Sequence, residues 1–278
     1  MTLGWNDSVG LVVADVDDTL APPFHDLGDE LADELAALLA SGVRMLLASG
    51  AGLEGIRERV VSRLPAELRA GVLVAHCNGA EVYGFDERGE QREQVMFSVV
   101  DAAHRATLRG AVHVAELLMK EFDLVHADGR PSRGAALLDD RGVQVTLDLS
   151  GPAERDPVLA RARELLEESG LDVAARPGGA SAVDLVLPHV DKGHAVRALI
   201  GCGLAGPGEV EVWGDQFSVR GGGADVAMAM AVPQGSRVIS FRAVPPCDVP
   251  AVPGMRIWPG PRHLDEGVLD HLRTRRNR

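Results

Sequence analysis

Two kinds of hydrophobic pattern alternate from the start of the chain. Residues 9–14 form a short apolar run, broken only by Gly10 and closed by Asp15. Runs of this kind suit strands buried on both faces. Leu31, Leu35, Leu38 and Leu39 then recur at helical spacing, and Gly42 stands where a C-terminal cap belongs. A second buried run, 43–48, ends at Ser49. Residues 53–63 read as a helix closed by Pro65, and a third run, 72–75, ends near Asn78. Strand, helix, strand, helix, strand calls for parallel pairing through right-handed crossovers, the opening of a doubly wound α/β sheet. In such a sheet the polar residues at the carboxyl ends of the strands share one crevice. Asp15, Ser49 and Asn78 all stand at that position.

The pattern changes after residue 83. Residues 84–96 read as a hairpin or sheet edge, and 99–120 as a long amphipathic helix with Leu108, Val112, Ala115 and Met119 on one side. Strands are expected at 135–138 and 143–149, around the turn Asp139-Asp140-Arg141-Gly142. A helix at 157–169 and strands at 171–175 and 182–187 repeat that order. A helix–strand–strand unit used twice predicts a separate α+β domain with an antiparallel sheet. After Pro188 the first pattern resumes: a helix over 192–200, a strand over 210–213 ending at Gly214-Asp215, a helix near 224–231 and a strand over 237–241. The Pro-rich stretch 245–261 reads as loop and 263–273 as a terminal helix. The expected organisation is a discontinuous α/β core, residues 1–83 and 188–278, with a mainly parallel sheet, and an α+β domain, 84–187, inserted into it.

Composition narrows the function classes. The chain has 278 residues, 46% hydrophobic and 25% charged, ordinary for a globular protein with a sizeable core. A formal net charge of -13 argues against nucleic acid or an anionic membrane surface as partner. Arg273, Arg275, Arg276 and Arg278 make a short basic end suited to a helix C-terminus. Cys77, Cys202 and Cys247 are odd in number and far apart, which argues against a disulfide framework or a cysteine zinc site and fits a reducing cytoplasm. No apolar run is long enough to cross a bilayer and no secretory leader is visible, so a cytoplasmic location is expected. Oligomeric state is not legible.

The chemistry begins at Asp15-Val16-Asp17-Asp18-Thr19, directly after a buried strand. Two carboxylates two residues apart at a sheet's carboxyl edge can divide the work of phosphoryl transfer. One attacks phosphorus, and the other donates and then accepts a proton at the leaving oxygen. A divalent cation relieves their repulsion and neutralises the phosphate. Magnesium is expected, because the candidate ligands are hard oxygens. A calcium loop fits the first letters only: Leu20 stands where that loop needs glycine, Asp26 where it needs glutamate, and Pro22-Pro23 interrupts.

This segment resembles the first motif of the haloacid dehalogenase-type phosphatase superfamily, an apolar strand followed by Asp-x-Asp-x-Thr, met here by Asp15, Asp17 and Thr19. The resemblance implies that Asp15 is the nucleophile. Asp17 would be the general acid/base and would also offer its backbone carbonyl to the metal. Ser49 matches the second motif, whose hydroxyl donates to the transferring phosphoryl group. Lys192, in Val190-Asp191-Lys192-Gly193, resembles the third motif as the sugar-phosphatase branch carries it, a point charge for the phosphate and for Asp15. Gly214-Asp215 matches the first half of the fourth motif, so Asp215 is an expected metal ligand. The second half departs from the common spacing. Val219 takes the expected place, and the next acid is Asp225, after a glycine-rich stretch similar to that of phosphomannomutases. Asp225 is a candidate metal or supporting residue; it can also simply start a helix.

Asn78-Gly79-Ala80 resembles the same branch, just before its cap. The large insert resembles that branch's α+β cap, which reads the leaving group. Arg133, Arg141 and Arg176 are its candidate reading residues, and Thr19, Gly50 and Asn78 the core's candidate substrate contacts. The implied function is Mg²⁺-dependent hydrolysis of a small phosphorylated metabolite, a sugar phosphate by class. Three rivals stand beside it. A mutase would use the same aspartyl-phosphate. A catalytically silent binding protein would use the same scaffold. A dinucleotide enzyme would use Gly50-Ala51-Gly52-Leu53-Glu54-Gly55, but that segment follows the second strand and the next strand ends in no acid for a ribose.

Overall fold

The computed structural model describes residues 3–179, 181–206, 208–217, 223–242, 252 and 254–275. Cys247, Val219, most of the glycine-rich stretch before Asp225, much of the Pro-rich stretch, Arg276 and Arg278 lie outside the described residues.

The chain starts with strand β1 (Leu11–Asp15), helix α1 (Asp29–Ala40), β2 (Arg44–Ala48), α2 (Leu53–Arg59), β3 (Val72–His76), β4 (Glu81–Gly84) and β5 (Phe97–Ser98). Next come α3 (Ala102–Glu121), β6 (Val125–His126), β7 (Ala135–Asp140), β8 (Val145–Asp148), α4 (Pro152–Ser169), β9 (Ala174–Gly178) and β10 (Ala182–Val186). The last part holds α5 (Lys192–Gly201), β11 (Val210–Gly214), α6 (Val226–Ala231), β12 (Arg237–Ser240), β13 (Met255–Ile257) and α7 (Leu264–Arg273). The chain divides into two compact units, one of residues 1–97 with 191–278 and one of residues 98–190. The sequence pattern alone puts these limits near 84 and 188. In the structure the hairpin that joins Phe85 to Gln91 and the short β5 continue the first sheet.

The first unit is built on an eight-stranded sheet in the order β13-β12-β11-β1-β2-β3-β4-β5. It is parallel from β13 to β3, and β4 runs antiparallel to β3. The central strands are apolar on both faces because both faces are covered. Val12 and Ala14 of β1 join Leu35, Leu38, Phe241 and Leu272 in one core. Leu11 and Val13 join Ala195, Val196 and Met228 in the other. The chain winds from β1 through β2 and β3 to one side and through β11, β12 and β13 to the other. The reversal leaves a crevice at the carboxyl ends of β1 and β11. One element differs from the sequence reading: β13 is a strand inside the stretch expected to be loop, paired with β12 at Val238, Ile239 and Ser240. Three residues are too few to show an alternating period, so only the partner strand defines it.

The second unit packs α3 and α4 against a sheet of order β6-β7-β8-β10-β9. Neighbours are antiparallel except β6 and β7. Asp101 caps α3 through its side chain, accepting the amide of His104 at 2.8 Å. Among the described residues no helix is long and apolar enough to cross a membrane.

Candidate active site

The turn after β1 gathers the first acids. The Val16 carbonyl accepts the amides of Thr19 (3.3 Å), Leu20 (2.9 Å) and Ala21 (3.1 Å), and Asp18 sits at φ +61. This sharp reversal keeps Asp15 and Asp17 at the same sheet edge. Asp15 is buried, and the Thr19 hydroxyl lies 3.4 Å from its Oδ2.

The loops after β2 and β3 supply the next layer. Ser49 Oγ accepts the Ala51 amide at 3.0 Å and donates to Asp17 Oδ2 at 3.3 Å. The Asn78 amide donates to the Ser49 carbonyl at 2.9 Å, with Asn78 itself at φ +59. Gly50 lies between the Ser49 and Ala51 groups so fixed. Gly79, at φ +84, meets the start of α5 so closely that a Cβ there would stand 2.8 Å from the Asp191 carbonyl oxygen and 3.1 Å from Lys192 Cα. Asp191 caps α5, its side chain accepting the His194 amide at 3.0 Å. Together these contacts fix the first residue of α5, Lys192.

Lys192 is buried, and its Nζ donates to Asp15 Oδ1 at 2.5 Å and to Asp225 Oδ1 at 2.9 Å. The other oxygen of Asp225 accepts the amides of Asp215 (3.0 Å) and Gln216 (2.9 Å). Gly214 is needed for that approach, since a Cβ on it would fall 2.5 Å from Asp225 Oδ2. Asp215 Oδ2 accepts from Gln216 Nε2 (2.8 Å) and Arg242 Nε (2.9 Å), whereas its Oδ1 is buried without a hydrogen-bond partner. One carboxylate oxygen each from Asp15, Asp215 and Asp225 lies within 4.8 Å of the others.

The electrostatics follow from this crowding. Burial pushes the Asp15 carboxyl well above its usual range; Lys192 opposes the shift, and Asp225, Asp215 and Asp17 add to it. Burial and Asp225 push Asp215 up to about 6, against Arg242 and Lys192. Burial works against the Lys192 ammonium, but Asp15 and Asp225 outweigh it and hold the proton more firmly than usual. Three buried carboxylates facing one ammonium leave net negative charge, and the orphaned Asp215 Oδ1 is an oxygen that a small hard cation would satisfy.

The structure therefore brings together Asp15, Asp17, Thr19, Ser49, Lys192, Asp215 and Asp225, with Gly50 and Asn78 on the adjoining loops. The three arginines belong to the second unit and have partners there. Arg141 donates to Asp139 at 2.7 Å, Arg176 to the carbonyls of Val190 and Pro188, both at 2.5 Å, and Arg133 acts on the charge of Glu154. Two site residues escape the motifs. Arg59, the last residue of α2, donates to Asp17 Oδ1 at 2.9 Å. Arg242 bridges Asp215 and Asp18, 2.9 Å from each. Its place just past β12, at the sheet's carboxyl edge, is a usable sequence signal; Arg59 offers none. The segment Gly50 to Gly55 leads into α2, a helix of only 7 residues.

No family model and no curated protein matches the sequence. Solved structures do. The IMP-bound, N-terminally truncated IMP-nucleotidase of Plasmodium falciparum has a TM-score of 0.63 at 14% identity, over 97% of this chain and 68% of that one. A haloacid dehalogenase-like hydrolase of Bacteroides thetaiotaomicron has a TM-score of 0.64 at 16% identity, over 95% and 98%. A Streptococcus mutans protein has a TM-score of 0.61 at 16% identity, over 97% and 100%. At such identities the likeness is one of fold.

Proposed function

Because this chain has the fold of haloacid dehalogenase-like hydrolases, we propose that it is a phosphomonoester hydrolase that works through a phospho-aspartate on Asp15. One observation carries the reading: a buried ammonium, Lys192, held 2.5 Å from the Asp15 carboxylate in a cluster with Asp215 and Asp225. A lysine so placed opposes the effect of burial on the nucleophile's charge and offers positive charge to an incoming phosphate.

The steps are these. An Asp15 oxygen bonds to phosphorus in line with the leaving oxygen, and the phosphorus–oxygen ester bond breaks. Asp17 gives its proton to the departing alkoxide. Asp17 then takes a proton from water, whose oxygen attacks phosphorus; the bond to Asp15 breaks and phosphate leaves. Ser49 and Lys192 donate to the phosphoryl oxygens throughout, and Arg59 holds Asp17. Asp15 and Asp215 would hold Mg²⁺, with the Asp17 carbonyl beside them. Asp225, whose oxygens serve Lys192 and two amides, supports them. When bound, Mg²⁺ supplies charge neutralisation at the phosphoryl oxygens.

The substrate is a small phosphorylated metabolite, a sugar phosphate by class. The reading is supported by the likeness to the sugar-phosphatase motifs and by a neighbour of the same fold that holds IMP, a ribose phosphate. On this reading Thr19, Gly50 and Asn78 line the phosphate side, and Arg133, Arg141 and Arg176 read the leaving group. Three cysteines spread along the chain fit a cytoplasmic enzyme.

The test is phosphate release from a panel of phosphosugars and nucleotides, with and without Mg²⁺, by the protein and its Asp15→Asn variant. Release that needs both Mg²⁺ and Asp15 is expected. An Asp15→Asn protein with full activity would end the proposal. An isomerised monophosphate without free phosphate would turn it into a mutase.

A further inference from the structure

Arg242 stands between a candidate metal ligand and the turn that follows the nucleophile. The Phe241 amide donates to the Gly214 carbonyl at 2.9 Å, and the Ser240 hydroxyl donates to the Arg242 carbonyl at 2.9 Å. These bonds fix the backbone of Arg242 at the carboxyl edge of the sheet, beside Asp215. Its Nε donates to Asp215 Oδ2 at 2.9 Å and its Nη2 to Asp18 Oδ2 at 2.9 Å. Asp18 is itself fixed: its φ is +61, and its amide donates to the Ala21 carbonyl at 2.9 Å. A planar guanidinium held at two of its nitrogens keeps one orientation. Gln216 Nε2 donates to the same Asp215 Oδ2 at 2.8 Å. The two oxygens of this buried carboxylate are thus unlike. Oδ2 accepts two donors, whereas Oδ1 has no hydrogen-bond partner. The other acids of the cluster are engaged as well. Asp225 accepts Lys192 at Oδ1 and two amides at Oδ2, and Asp15 accepts Lys192 at Oδ1.

We infer that Arg242, braced by Asp18, is a positioning residue that limits Asp215 to one oxygen toward a bound cation, and that this selects Mg²⁺ against larger divalent ions such as Ca²⁺. The inference rests on the hydrolase reading of the site and deepens it. Ca²⁺ gathers about 6–8 oxygens and often takes both oxygens of a carboxylate, whereas Mg²⁺ keeps several waters and is held through few carboxylates. An acid whose second oxygen is closed by an arginine and an amide suits Mg²⁺ and starves Ca²⁺. The charge of Arg242 repels both ions alike, so what separates them is the oxygen it occupies. Asp18 fills the second open letter of Asp-x-Asp-x-Thr. The brace therefore belongs to this chain and not to the motif.

The test compares two ions of equal charge. Mg²⁺ and Ca²⁺ are titrated separately, by calorimetry and by the rise in melting temperature, into the parent protein, Arg242→Met and Asp18→Gly. Glycine suits the left-handed backbone at position 18, so the turn is kept. The readout is the Kd for Ca²⁺ divided by the Kd for Mg²⁺. Arg242→Met should lower this ratio roughly tenfold, the scale of one charge-assisted hydrogen bond. Asp18→Gly should lower it too. The first variant removes a positive charge and the second a negative one. A purely electrostatic role would shift both affinities together, in opposite senses in the two variants, and leave the ratio as it was. Asp18→Gly keeps Arg242 in the chain, so it decides the matter even where Arg242→Met does not fold. A ratio unchanged or raised in either variant, or no binding of either ion by the parent, overturns the inference. Phosphate release by the parent with Mg²⁺ is scored separately. Its absence sinks the hydrolase reading, while the ratio still reports on Arg242.

Discussion

The Nζ of Lys192 donates to Oδ1 of Asp15 at 2.5 Å although 177 residues separate them in sequence. The pair is made by topology. β1 ends at Asp15 in the middle of the sheet, and α5 begins at Lys192 against the Asn78-Gly79 turn at the same edge. One ammonium then faces Asp15, Asp215 and Asp225 in a buried space, where a lost partner cannot be replaced by water.

Lys192→Met should therefore cost both activity and stability. Breaking a buried ion pair from one side costs about 3–5 kcal/mol, and removing a charge aimed at the phosphoryl group lowers kcat by about 10²–10³. Urea unfolding without Mg²⁺ and phosphate release with it measure the two. A variant with wild-type kcat would remove Lys192 from the chemistry.

Asp215 gives a pH prediction with a definite sign. Its carboxyl is raised from 3.8 to about 6 by burial and by Asp225. The folded state therefore holds this proton more tightly than the unfolded state does. Stability from the neutral form is full below pH 3.8 and is lost as pH rises through about 6. At pH 7 without metal, Asp215→Asn should be more stable than the parent, by at most roughly 3 kcal/mol at 1.36 kcal/mol per pKa unit. The gap should close toward pH 4, and the variant should lose the stabilisation that Mg²⁺ confers on the parent. Thermal melts from pH 4 to 7.5, with and without Mg²⁺, decide it. A variant less stable than the parent at pH 7 would contradict the sign.

The core of this site was readable because buried parallel strands write themselves as continuous apolar runs, and the chemistry stands at their ends. Asp15 closes β1, Ser49 follows β2, and Asp215 follows β11. What could not be read depends on distant partners. β13 is three residues long and exists by pairing with β12. Arg59 reaches Asp17 by side-chain length from a helix end, with no periodicity to mark it. Glu211 reads as one polar letter inside an apolar strand; only the fold supplies His271, 60 residues on.

That Glu211 leads to a third stability prediction. It is fully buried in β11 and accepts from Trp213 Nε1 (2.7 Å) and Arg237 Nε (2.6 Å), with His271 Nε2 at 2.7 Å. His271 itself sits among the rings of Trp5, Trp213, Phe241 and Trp258. Burial pushes the Glu211 carboxyl up, but the bond from His271, that residue's charge and the charge of Arg237 outweigh it, and the net shift is downward. Stability from this group is present above the ordinary glutamate range and is lost as pH falls through the folded value. Glu211→Gln should cost about 3–5 kcal/mol at pH 7, and the difference from the parent should shrink in acid, where the parent's carboxyl is itself protonated. A cost that is constant from pH 7 down to acid unfolding would mean that packing, not charge, holds the cluster.

Gly79 tests whether the backbone around Lys192 matters as much as its charge. Gly42 and Gly79 both sit at positive φ, +91 and +84, so alanine strains either one, by about 1–2 kcal/mol. The two differ in surroundings. A Cβ at Gly42 meets nothing within 4 Å, whereas at Gly79 it falls 2.8 Å from the Asp191 carbonyl oxygen and 3.1 Å from Lys192 Cα. Both of those atoms are backbone, so the start of α5 must move, and Lys192 moves with it. A displacement of about 1 Å at a catalytic group can cost about 10² in rate. Gly79→Ala should therefore lower kcat by one to two orders of magnitude, as roughly that estimate implies, and Gly42→Ala should lose stability alone. If both variants lost stability equally and kept the same kcat, the close packing of the Gly79 turn against α5 would have no part in holding the lysine.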